Sequence, residues 1–136
     1  MASARCIDEW LTEVDNLALS STAASADAQA GHVRAMGVLM RMRPEGLDGE
    51  HMSPEMEADV MRSVSMGAFE SAALRLLPSD ARMMTSSPGE GRHLATVRLG
   101  GQYGESTSTG STFALALVGA LALSIVDHYH EALGVM

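Results

Sequence analysis

The sequence predicts an α+β protein, mostly helical, with a β-hairpin packed against a buried C-terminal helix. Three observations carry this. Ser106 to Val126 is a run of twenty-one residues without a charged side chain. Arg92 to Leu99 alternates in the two-residue period of a strand, and the segments ahead of it repeat apolar residues at helical spacing. At 136 residues the chain is long enough for one core. It is expected to form a single domain over 1–136, with a helical N-terminal part at 1–50 and a helix-hairpin-helix core at 53–136.

From Ala4 to Ala18, the residues Ile7, Trp10, Leu11, Val14 and Leu17 share one helical face, and Asp8, Glu9, Glu13 and Asp15 lie opposite. Trp10, the only tryptophan, is expected to anchor this helix in the core. The small, uncharged Leu19–Ala26 reads as a connector or a frayed end. A second helix is expected from Ser25 or Asp27, either a suitable N-cap, to Arg43, where Pro44 stops it. Its apolar side is Val33, Met36, Leu39 and Met40, and Arg41 and Arg43 oppose the dipole at its end. Residues 44–52 then form an acidic, Gly-punctuated loop.

Ser53-Pro54-Glu55 is a helix start: a hydroxyl cap, proline at the first position and acids in the first turn. The stripe of Met56, Val60 and Val64 rotates after Gly67 to Phe69, Ala72, Ala73, Leu76 and Leu77, so a bend or two successive helices are expected. Pro78 ends the element. Arg82–Ser86 pairs with Arg92–Leu99 through the turn-rich Ser87–Gly91. In the second strand His93, Ala95, Val97 and Leu99 face one way, and Arg92, Leu94, Thr96 and Arg98 the other. Two strands alone are marginal in water. They require covering helices, a third strand near Gln102-Tyr103, or a second subunit's sheet.

Phe113–Val126 is apolar all round, so it is a central core helix, a subunit interface or a membrane span. The continuous apolar run falls short of the ~20 residues a bilayer core requires, which favours burial within the protein. Ala116, Gly119 and Ala120 form a small-residue strip that admits another backbone closely. With Leu123, they are the expected interface of a homo-oligomer.

Composition narrows the function. The net charge of −8 arises mostly in the first sixty residues, and every basic residue is arginine. An acidic chain without a basic patch is not suited to nucleic-acid polymers. An acidic face suits a basic protein partner. Aromatic content is 4%, so the core is aliphatic and Met-rich, with most of the eleven methionines expected to fill gaps in it. Cys6 is the only cysteine, which excludes an intrachain disulfide, and no basic-then-apolar leader is visible at the N-terminus. Both fit a cytoplasmic protein.

The Gly-rich approach to the last helix is the best candidate for a ligand site. Helix N-termini present free N–H groups, and Gly with hydroxyls lets an anion approach. The candidate ligand-binding set is Gly104, Ser108, Thr109, Gly110, Ser111 and Thr112, with Arg92 or Arg98 supplying charge. The alternative is that this is a flexible loop whose Ser or Thr only caps the helix. The spacing is not that of a Walker loop, and there is no lysine. In Asp127-His128-Tyr129-His130-Glu131, the two histidines lie about 200° apart on a helix and cannot share an ion unless the helix has ended there, so a polar, water-facing helix end is expected in place of a metal site. No metal, cofactor or catalytic residue is therefore assigned; His51 and His93 are isolated in sequence, and Cys6 has no neighbour that would activate it.

The segment AALRLLP (Ala72–Pro78), the hairpin, and the passage Glu105–Leu117 resemble small phage and prophage proteins of the alpha-beta-alpha sandwich type. Those proteins end in a strand pair followed by a Thr-Pro-Ala-Leu-Ala-rich helix. Phe113 stands where that group often has proline. The resemblance covers about half the chain and implies a phage or prophage origin and a sandwich fold, with no known activity. The leading expectation is thus a non-enzymatic, phage-associated adaptor or inhibitor acting through an acidic surface on a protein partner. The alternatives are an oligomer that sequesters a small anion such as a nucleotide, and a minor enzyme.

Overall fold

The computed structural model describes residues 4–44, 52–89, 91–100 and 105–132. Helix α1 (Ala4–Ala23) buries Trp10, Leu11, Val14, Ala18 and Ser21 along one stripe. It runs one turn and more beyond Ala18 because the small Ser21 and Thr22 allow close packing. Ser21 is fully buried, and its hydroxyl lies 2.9 Å from Nδ1 of His32. A single 3-10 turn (Ala26–Ala28) follows Ser25, whose hydroxyl makes no cap bond, and leads into α2 (Gln29–Arg41).

Helix α2 ends earlier than Arg43, and its two arginines separate. Arg41 pairs with Glu57 at 2.5 Å, whereas Arg43 turns inward, 5.9 Å above the ring of Tyr129. Arg43 is therefore buried beside an aromatic ring and does not oppose the helix dipole from solvent.

Helix α3 (Pro54–Ser65) is capped as the sequence predicts: the Ser53 hydroxyl accepts the Met56 N–H at 3.2 Å. Gly67, at φ +76, closes it. Gly67 N–H donates to the Val64 carbonyl and Ala68 N–H to that of Ser63, the paired bonds of a Schellman cap. The chain restarts as α4 (Phe69–Arg75), so the bend is a break between two helices.

Three antiparallel strands follow in the order β1 (Arg82–Gly89), β2 (Arg92–Arg98), β3 (Glu105–Gly110). β2 alternates as expected, with Ala95 and Val97 buried. The third strand is the Ser/Thr-rich stretch itself, which sequence reading placed in a loop. The earlier candidate for it, Gln102-Tyr103, lies outside the described residues, as do His51 and most of the 44–52 loop. β3 forms because β2 offers a free ladder: Arg98, Thr96 and Leu94 pair with Glu105, Thr107 and Thr109.

Helix α5 (Phe113–Ala132) crosses the inner face of this sheet and is enclosed by α1, α2 and α4 on its other sides. Leu115, Leu117, Val118, Leu121 and Ile125 are buried on different sides of it, as an all-round apolar helix requires. Ser124, the polar exception, donates to the Val97 carbonyl at 2.8 Å. No helix among the described residues is long and apolar enough to cross a membrane.

The outer face of the sheet has no helix over it among the described residues, and Arg82, Met84, Ser86, Arg98, Glu105 and Thr107 are exposed there. Among the described residues the helices thus lie on the inner side of the sheet. Methionine use also differs from expectation. Met36, Met40 and Met52 are buried, but Met42, Met56, Met66 and Met84 are exposed.

Candidate functional site

The sequence-predicted ligand residues do not converge. Arg92 and Arg98 occupy opposite ends of β2, about 20 Å apart at the rise of a strand. Gly104 lies outside the described residues. The others are engaged in building the fold. Ser108 points at α5 and lies 3.4 Å from the Thr22 hydroxyl. Thr109 pairs with Leu94 on the outer face. A Cβ at Gly110 would fall 2.7 Å from the Ala116 backbone nitrogen, so glycine permits β3 to touch α5 there. Ser111 donates to the Ala24 carbonyl at 2.9 Å, and Thr112 accepts the Leu115 N–H at 3.1 Å as the cap of α5. The capping alternative is the one the geometry realises.

The expected interface strip is likewise internal. Ala116, Gly119 and Ala120 are fully buried inside this chain, where a Cβ on Gly119 would meet the Ser108 hydroxyl at 2.6 Å. The close approach belongs to β3 and α1 of the same molecule. Leu123 is partly buried against the core.

Two other places gather polar groups. The first is on the outer sheet face, where Arg82, Arg98 and Glu105 form one row across the three strands. With Met83, Met84 and Thr96 they line an open groove of about 280 Å³. Thr96 and Thr107 bond to each other at 2.8 Å beside it. Sequence reading assigned Arg98 but missed Arg82. The signal was available: closing the hairpin over Ser87–Gly91 brings Arg82 opposite Arg98.

The second is a depression of about 490 Å³ lined by Gln29, Phe69, Glu70, His93, Thr112 and Phe113 among others. His93 lies 3.2 Å from the exposed Ser87 hydroxyl. A Ser–His pair resembles part of a nucleophilic dyad, but no carboxylate among the described residues bonds the imidazole, and Glu70 would repel an anion from the depression.

The acids divide into two kinds. On α3, Asp59 bonds Arg62 at 2.7 Å, and Glu57 bonds Arg41. On α1, Asp8, Glu9 and Glu13 are exposed beside the uncharged Thr12, Asn16 and Ser20, and among the described residues no arginine bonds Asp8, Glu13 or Asp15. An exposed Leu19 extends the same face. Trp10 holds the helix in place from beneath: it donates to the Leu39 carbonyl at 2.8 Å and packs edge-on to Tyr129, with ring centroids 6.1 Å apart.

The polar end of α5 is helical and partly buried, contrary to the water-facing end expected. Tyr129 is in the core, and Asp127 accepts a bond from Ser106 at 2.9 Å. No group of three or more metal-ligating side chains forms among the described residues.

With this geometry in hand, comparison with known proteins adds no assignment: no protein-family model, curated protein or solved structure matches the chain.

Proposed function

We propose that this is a small non-enzymatic binding protein that engages a basic protein partner through the exposed face of α1. The observation that carries this is a contrast between acids: Glu57 and Asp59 of α3 are paired with arginines and leave only Glu55 unpaired there, while among the described residues Asp8, Glu13 and Asp15 of α1 bond no arginine. Acids left uncompensated on a rigid helix attract a basic surface and speed its encounter. The adjacent Leu19 offers an apolar contact once the two surfaces meet. In this reading the protein is an adaptor or inhibitor; the sequence resemblance supports only a phage or prophage origin for it, and the single cysteine a cytoplasmic setting.

The test is retention of a partner by immobilised wild-type protein and by the double variant Asp8→Arg/Glu13→Arg. One defined species should bind the wild type at low salt, leave at high salt, and be lost with the double variant. Binding that survives both salt and charge reversal would exclude the acidic face.

A second reading, sequestration of a small anion such as a nucleotide, gains one specific observation: Arg82 and Arg98 are cross-strand partners. In this reading the ligand lies on the outer sheet beside Glu105 and Thr107, away from the Ser111–Thr112 start of α5. A ligand held there should raise the melting temperature of the wild type but not of Arg82→Ala. No shift with any nucleotide removes this reading.

A further inference from the structure

Of the sheet's two edge strands, only β3 bonds a helix among the described residues. β3 is flanked by α1 through the Thr22–Ser108 and Ser111–Ala24 contacts, whereas the far side of β1 meets no strand among the described residues. An edge of this kind presents unpaired N–H and C=O groups, and proteins blunt such edges with proline, bulges or charge. Here the bulge and the proline are confined to one end, and Arg82 supplies a single charge at the other. The register breaks between Ser86 and Gly89, and Pro88 has no N–H to offer. Arg82–Ser86 remains in regular register with β2.

We propose that β1 pairs with β1 of a second copy of this chain, antiparallel across a two-fold axis at Met84, joining two sheets into one of six strands. Three observations select this occupant. The strand contains one cation and no acid, so the self-pair brings none of the chain's negative charge directly together. Centring on Met84 is the register that pairs all five regular residues. It sets Arg82 against Ser86 of the second copy and holds the two arginines about 14 Å apart along the strand. The same register places the two Met84 side chains, each 69% exposed in the single chain, against one another on the outer face. A basic or acidic peptide would gain the backbone bonds but leave Met84 unmatched. The interface thus lies at β1, not at the small-residue strip of α5, and it is independent of the partner surface proposed on α1.

Five residues of strand bury little area, so the dimer is weak and depends on concentration. Each chain carries −8, so salt should strengthen dimerisation by screening, the reverse of its effect on an acidic partner surface. The test is analytical ultracentrifugation of the full chain across concentration and salt, with three variants. Wild-type protein should pass from one to two chain masses as concentration rises, and more readily in high salt. Met84→Glu, at an exposed position, should fold normally and dissociate the dimer at least about tenfold more readily, because like charges then face each other across the axis. In a Cys6→Ser background, Met84→Cys should form a disulfide-linked dimer under mild oxidation, while Met66→Cys, equally exposed but off the sheet, should not. A wild type that remains monomeric throughout, or equal cross-linking at the two positions, overturns the proposal.

Discussion

The two outer strands of the sheet carry similar residues and have opposite fates. β1 (RMMTSSPG) and β3 (ESTSTG) are both short, rich in Ser and Thr, and paired to the same central strand. β3 lies against α5 and α1, with Ser106 and Gly110 buried; along β1 every residue but Met83 is exposed. Hydroxyl content therefore does not decide whether a strand faces water. What decides is the surface opposite: α5 offers β3 a shallow, small-residue flank at Ala116 and Gly119, which only small side chains can meet.

The largest expected effect tests that contrast with one chemical change on each strand. At Gly110, an added methyl would collide with the α5 backbone, an atom that cannot swing aside. Gly110→Ala should cost about 2 kcal/mol of stability, in the range of overpacked sites. Gly89→Ala meets nothing within 4 Å, and its φ is not in the left-handed region. It should change stability by less than about 0.5 kcal/mol. Denaturant midpoints of the two variants measure the difference directly. Equal effects would mean that β3 is not seated on α5 as described.

Next in size is the loss of single hydroxyls. Ser124 is buried and donates to Val97 across the α5–β2 contact, so Ser124→Ala should cost about 1 kcal/mol, leaving that carbonyl without its donor. Thr107 bonds Thr96 on the open face, where water can replace it. Thr107→Ala should fall within about 0.5 kcal/mol of wild type.

This contrast also explains what was legible in the sequence. The uncharged run of α5, the alternation of β2, the Ser53 cap and the break at Gly67 all announce themselves, because each depends on the local period or on one residue's backbone preference. β3 does not. Its Ser, Thr and Gly residues signal a loop in isolation, and they become a strand only through the β2 ladder and the flank of α5. For the same reason the candidate site was misassembled: Ser111 and Thr112 look like ligand donors until the Ala24 carbonyl and the Leu115 N–H are seen to use them. The inward turn of Arg43 depends on Tyr129, far away in sequence, and no spacing rule reveals it.

The smallest expected effect is a pH dependence on the packed side. His32 meets the fully buried Ser21, and burial lowers its pKa below the ordinary 6.5. Desolvation disfavours the imidazolium in the folded protein, so the unfolded chain takes up the proton first. The stability at stake is present above the unfolded value of 6.5 and is lost as the pH falls from there through the folded one. Protonation also dictates direction at the Ser21 bond: a neutral ring can accept from the hydroxyl at Nδ1, whereas a charged ring can only donate. Wild-type protein should therefore lose more stability between pH 7.5 and pH 5 than His32→Gln, which has nothing to titrate there. Parallel denaturation curves at the two pH values measure this. An identical pH response in the two proteins would show that the Ser21–His32 contact does not hold the ring neutral, and would remove the titratable element from the packed side of the comparison.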